Sequence, residues 1–243
     1  MVLDLQTLTR QAKDRVIEFP GRPLLMGVVN VTPDSFSDGG RYLDVEAAVA
    51  HAIQLVEEGA DVLDVGAEST RPGADPVDEA EELRRAIPVV TAVAKAVTVP
   101  ISIDTSKSSV AQAALDAGAV LVNDVTALRG DPAMAEIIAR TGAGIVLMHM
   151  QGTPRTMQQV PHYEDVIGEV AVFFEERIRF ATTHGIVQRQ IVLDPGIGFG
   201  KLLVHNLTLL ARLQRFACFG CPLLVGVSRK TFLGQLVDRP VQD

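Results

Sequence analysis

The chain has 243 residues, is 47% hydrophobic and carries a formal net charge of −8. That length suits one large domain or two small ones, the apolar share allows a sizeable core, and the acidic balance excludes a general nucleic-acid surface, which needs a basic face. No apolar run reaches the length of a membrane span, and residues 1–19 carry scattered charges without an apolar signal core, so a cytoplasmic protein that engages no membrane is expected.

The elements alternate from one end of the chain to the other. Residues 1–19 have some helical character and no convincing strand. A first strand is predicted over 23–30, ending at Asn30, and a helix over 44–59 with Asp44 as N-cap and Gly59 as C-cap. A strand over 61–66 leads to a helix over 78–96 that starts behind Asp78. The strand over 100–104 ends at Asp104, and the helix over 107–117 is closed by Gly118. Next come a strand over 120–125 through Asn123 and Asp124, a helix over 131–141 closed by Gly142, and a strand over 144–149 ending at His149. The series continues with a helix over 163–184 closed by Gly185, a strand over 190–194 ending at Asp194, a helix over 204–217 and a strand over 222–228. Ser228-Arg229-Lys230 and the opening of a seventh helix at 231–237 follow.

The strands lack polar alternation, as expected of parallel strands buried on both faces. Strand–helix alternation without a low-complexity linker gives one α/β domain, a TIM (β/α)8-type barrel of which seven strands lie in residues 1–243. Almost every apolar run ends in a polar residue, and in such a barrel the strand C-termini form the active-site mouth. Seven strands leave two parallel edges exposed, so a further segment is expected to close the wall.

The strand ends carry the candidate chemistry. Carboxylates such as Asp104 and Asp194 suit paired N–H donors, Asn123 offers both donor and acceptor, and Lys230 supplies a cation. One strand-end Asp alone is as often a helix cap, but four such residues on successive elements point to a ligand pocket. Asp124 should point away from the side chosen by Asn123. His149 reads as a base or as rim packing. Cys218 and Cys221 lie before a strand, where a redox pair would follow one, and read as packing or connector residues. Gly196-Ile197-Gly198-Phe199-Gly200-Lys201 matches neither a P-loop nor a dinucleotide fingerprint, and the Asn206-Leu207-Thr208 sequon has no meaning in a cytoplasmic chain.

The loops after the strands are long and polar: 30–40, 66–73, 148–154 and 194–201. Together with Ser102-Ile103-Asp104-Thr105-Ser106-Lys107 and Gly226-Val227-Ser228-Arg229-Lys230, they resemble the dihydropteroate synthases of folate biosynthesis, in order from about residue 23 to 237. The resemblance implies a transferase that joins 7,8-dihydropterin-6-ylmethyl diphosphate to 4-aminobenzoate and releases diphosphate. It implies that Asp104, Asn123, Asp194 and Lys230 line the pterin pocket, with Asp104 and Lys230 catalytic, and that Asn30 ligates Mg2+. Thr70 would contact the diphosphate substrate and Arg71 the aminobenzoate side, unless Arg71 pairs with Glu68 or Asp75 on the surface. Residues 32–40 would form a lid bearing Asp34 and Phe36, with Phe36 or Phe199 as an apolar wall and Ser228 near the substrates. The resemblance also suggests a homodimer. It places an Arg and a His on an eighth strand, so weak turnover is expected of residues 1–243 alone. An inactive or regulatory pterin-binding paralogue and a tetrahydrofolate-dependent methyl-transfer barrel stay open as alternatives.

Overall fold

The computed structural model describes residues 8–13, 15–19, 21–31, 40–69 and 74–237. A two-stranded antiparallel sheet, β1 (Leu8–Ala12) and β2 (Arg15–Phe19), precedes a six-stranded parallel sheet. The latter consists of β3 (Met26–Asn30), β4 (Val62–Gly66), β5 (Ile101–Asp104), β6 (Leu121–Asp124), β7 (Gly144–Met148) and β8 (Ile191–Asp194), adjacent in that order. Between them run α1 (Gly40–Glu57), α2 (Glu79–Ala96), α3 (Ser108–Ala117), α4 (Met134–Thr141) and α5 (Val166–Thr183), followed after β8 by α6 (Leu203–Ala211) and α7 (Thr231–Val237). Each strand-to-strand step passes through a helix, which is the winding of a β/α barrel wall. No helix among the described residues is long and apolar enough to cross a membrane.

The core is a continuous apolar layer between strands and helices. Leu63, Ile103, Val122, Ile145 and Leu193 are fully covered and pack with Val89, Leu115, Ile138 and Phe174 of the helices. Burying one such side chain contributes about 1.5–3 kcal/mol. Residues of opposite parity point to the barrel interior. β4 and β7 are buried at every position, whereas Val28 on β3 is 50% exposed, because among the described residues β3 pairs on one side only.

The predicted caps hold in part. Asp78 Oδ1 accepts from Glu81 N at 2.8 Å, and Gly59, Gly118, Gly142 and Gly185 all have positive φ where their helices stop. Asp44 is not an N-cap: α1 begins a turn earlier, at Gly40. The helix expected over 204–217 breaks at Arg212 into α6 and a 3-10 segment, Leu213–Phe219.

Two larger differences concern the ends of the series. The strand expected over 222–228 reduces to a single parallel bridge, Leu193 to Leu223, with Leu193 N donating to Pro222 O and Leu224 N to Leu193 O. Pro222 has no N–H and Gly226 has no side chain to pack, and both weaken a strand. The segment expected to lack a strand instead forms the β1–β2 hairpin. Its turn residue Lys13 donates from N to Gly142 O at 2.7 Å and from Nζ to Leu115 O at 2.6 Å, and Arg15 donates to Thr98 O at 2.7 Å. Those acceptors lie where helices return to strands, so the hairpin covers the end of the barrel opposite the strand C-termini.

Candidate active site

Strand register brings the polar strand ends into one row. Asn30 pairs with Gly66, Gly66 with Asp104 and Asp104 with Asn123, so four adjacent strands end at one level. Asp194 enters from β8 at the level of Met148. A Cβ at Gly66 would stand 3.6 Å from Asp104 Oδ2 and 3.8 Å from Asn30 Oδ1, so the glycine leaves an open floor between an amide oxygen and a carboxylate.

The opposite wall comes from the loop after β8. Phe199 packs on Val125, Met148, Met150 and Met157, and the Lys230 ammonium lies 4.1 Å from the centre of its ring. Lys230 reaches this point because Arg229 turns the backbone through positive φ just after the exposed Ser228. The loop itself is pinned throughout. Gly196 N donates to Asp194 Oδ1 at 2.7 Å, Gly198 N to Asn206 Oδ1 at 2.8 Å, Gln158 to Gly198 O at 2.7 Å and Tyr163 OH to Gly200 O at 2.9 Å. Asn206, the sequon residue, is buried and acts as a loop brace.

Electrostatics divide the pocket into an acidic floor and a cationic wall. Burial, and then the charges of Asp64, Glu82, Asp124 and Glu68, hold the Asp104 carboxyl well above its ordinary range. Burial raises Asp194 to about 6, opposed by the Gly196 N–H and by Lys201 and Lys230. Burial lowers Lys230, with Asp194 and Asp104 pulling the other way. Lys201 is buried beneath the wall, donating to Phe199 O at 2.9 Å and lying 2.9 Å from His149 Nδ1; burial depresses it to about 7. Burial and the charges of Lys201 and Arg129 hold His149 down to about 2, which keeps its imidazole neutral.

Asp104, Asn123, Asp194, Lys230, Phe199 and Asn30 are thus gathered around one mouth; Ser228 is exposed, two residues before Lys230. Asp34, Phe36, Thr70 and Arg71 lie outside the described residues. Asp124 does point away: its carboxylate accepts from Thr126 N, Thr126 Oγ1 and Leu128 N and braces the following turn. Glu68 is engaged by Lys107, which also holds Glu82, and Asp75 lies 3.8 Å from Arg155. Neither Cys218 nor Cys221 forms a disulfide. Sequence reasoning missed Asp64, Lys201 and Asn206. Asp64 did carry a signal, as the one charged residue within an apolar run.

The donor set suits a hard cation only in company. One amide oxygen at Asn30, with the Asp104 carboxylate across Gly66, supplies oxygen ligands but no cage, and among the described residues no cluster of three His, Cys, Asp or Glu could hold a metal. That fits Mg2+, which is commonly held by few protein groups together with substrate phosphates and water.

A family model described as pterin binding enzyme matches residues 26–243. Escherichia coli (strain K12) dihydropteroate synthase is 50% identical over 216 residues, 89% of this chain and 76% of that protein. The Bacillus subtilis (strain 168) dihydropteroate synthase is 40% identical over 238 residues, 98% of this chain and 81% of that protein. A solved structure of Xanthomonas albilineans dihydropteroate synthase with 4-aminobenzoic acid superposes with a TM-score of 0.89 at 48% identity, covering 96% of this chain and 83% of that one. Another, of the same species' enzyme in complex with 7,8-dihydropteroate, gives 0.83 at 45% identity, covering 95% and 82%. The wall of parallel strands is therefore that of a TIM-type barrel, and the chain belongs to the dihydropteroate synthase family of pterin-binding enzymes.

Proposed function

We propose that the protein condenses 7,8-dihydropterin-6-ylmethyl diphosphate with 4-aminobenzoate to give 7,8-dihydropteroate and diphosphate. What carries this reading is the convergence of Asp104, Asn123, Asp194 and Lys230 on one mouth, joined to the family membership. A pterin offers a flat edge with several N–H donors and a carbonyl. Asp194 and Asn123 meet such an edge with oriented acceptors, and a carboxylate takes two parallel N–H groups well. Lys230, resting on Phe199, faces the ring with a cation suited to the carbonyl oxygen.

The reaction is substitution at the pterin methylene carbon. The carbon–oxygen bond to diphosphate breaks with its electron pair going to the leaving group. The ring delocalises the positive charge, and the amine nitrogen of 4-aminobenzoate forms the new bond and then loses a proton to solvent. Asp104, fixed beside the ring, aims its carboxyl oxygens at positive charge that develops only in the transition state, and preorganised groups in a water-poor site need no reorganisation to do so. Phe199 offers an apolar face to the second ring, and the family resemblance assigns substrate contacts to Ser228, Thr70, Arg71 and Asp34. Mg2+, held by Asn30 and the diphosphate, would neutralise charge on the departing oxygens. The same family resemblance supports a homodimer and a cytoplasmic location, which sedimentation velocity and cell fractionation test.

Titration with 6-hydroxymethylpterin and a coupled assay for released diphosphate test the reading together. Binding without diphosphate release, in the presence of 4-aminobenzoate and Mg2+, would leave a pterin-binding paralogue. In Asp104→Asn we expect turnover to fall by about 10²–10³-fold while diphosphate binding changes little. Near-normal turnover in that variant would refute the role of Asp104.

A further inference from the structure

Beneath the pocket lies an acid that the reaction as described does not use. Asp64 is two residues before Gly66 on β4, so its side chain enters the barrel on the same face, one layer below the floor. It is in register with Ser102 of β5, and it is 5% exposed. Its Oδ2 accepts from Asn123 Nδ2 at 2.9 Å, and the Ser102 hydroxyl is its neighbour across the strands.

A carboxyl group here is a poor way to stabilise a barrel. Apolar side chains of similar volume in place of buried charged groups are often neutral or stabilising, and the rest of β4 is Val, Leu and Gly. The hydrogen bond to Asn123 supplies a different reason. An asparagine at a pocket edge can present either its amide N–H or its carbonyl oxygen, and the two are almost equal in shape. Asp64 Oδ2 is the acceptor in this contact, so the Asn123 group turned toward it is the N–H. Asp64 therefore turns the Asn123 nitrogen downward and leaves Oδ1 for the ligand. With Asp104 and Asp194 on either side, the edge of the pocket becomes a line of acceptors.

We propose that Asp64 is a positioning residue for the pterin substrate: it sets the Asn123 amide so that the site selects a heterocycle presenting an N–H at that point. The inference rests on the synthase reading for its substrate class, but concerns a residue that touches no substrate. Orientation of this kind is fixed before binding, so it raises affinity without a new contact.

A double-mutant cycle tests it. Affinity for 6-hydroxymethylpterin is measured by calorimetry in the wild type, Asp64→Asn, Asn123→Ala and the double variant. The Michaelis constant for the aminobenzoate substrate is followed in parallel. Asp64→Leu serves as a second variant whose apolar side chain suits a buried site, and melting temperature reports folding for all. We expect Asp64→Asn and Asp64→Leu to weaken pterin binding about tenfold with the Michaelis constant for aminobenzoate unchanged, and neither to weaken it further in the Asn123→Ala background. Equal losses in both backgrounds, or affinity equal to wild type in a folded Asp64 variant, would overturn the positioning role. Failure of the wild type to bind the pterin at all would instead refute the substrate assignment.

Discussion

Asp194 and His149 lie at the ends of adjacent strands beside the same buried ammonium, yet burial shifts them in opposite directions. Burial raises Asp194 to about 6, and the pocket needs it as an acceptor, so kcat/KM for the pterin diphosphate should decline below pH 6. Asp194→Asn should remove that part of the acid limb, at the expense of affinity. His149 is held neutral down to about 2, against an ordinary 6.5. Its replacement by glutamine should leave the acid limb where it was; a shift of that limb would mean that His149 acts in proton transfer. On stability the sign is different. Below pH 6.5 the unfolded chain takes up a proton that the native site refuses, so this group makes the protein less stable between pH 6.5 and about 2. Urea melts of His149→Gln across that range should show a weaker loss with acid. At this scale much of the pocket was legible in the sequence. Asp104, Asn123 and Asp194 each close an apolar run, and a strand end is the one place in such a run where a polar group meets the barrel mouth. Asp64 lies inside its run, and its importance depends on register with Ser102 and on reach to Asn123, neither of which a single strand reveals.

The loop after β8 shows how an element is fitted to its site. Gly196, Gly198 and Gly200 all have positive φ, and two of them leave no room for a side chain: a Cβ would lie 1.9 Å from His149 O at Gly196 and 2.6 Å from Gln151 O at Gly200. The two neighbouring loops are therefore locked backbone to backbone, and Phe199 is carried into place between them. Gly196→Ala should cost at least about 1–3 kcal/mol of stability from its backbone conformation alone. It should also weaken pterin binding through displacement of Asp194, whose Oδ1 holds the Gly196 N–H. Calorimetric titration beside a thermal melt separates the two effects, and unchanged values in both would show that the loop tolerates the shift. The glycine spacing was visible in the sequence, but the close approach it serves was not. The strand expected over 222–228 shows the converse. Apolar β-branched residues supplied the pattern, while pairing stopped where Pro222 and Gly226 interrupt the ladder.

For the molecule as a whole, the alternation of strands and helices was enough to give the architecture, because parallel strands buried on both faces and Gly-capped helices leave a strong periodic signal. The N-terminal hairpin was not legible. Its two strands are short and carry polar residues, and its structure is tied to the barrel end it covers. Lys13→Met should remove the bond to Leu115 O and lower stability by about 1–2 kcal/mol, read from a urea melt. Turnover should not change, since the hairpin lies at the opposite end from the pocket; reduced turnover at full folding would link the two ends. That hairpin also carries a consequence for synthesis. Leu115 follows Lys13 by 102 positions, and at roughly 5–20 residues per second its carbonyl leaves the ribosome on the order of 5–20 s after the lysine. The hairpin therefore waits for its seat while the intervening residues are made, and during that interval it is a natural target for chaperones and proteases that read the nascent chain.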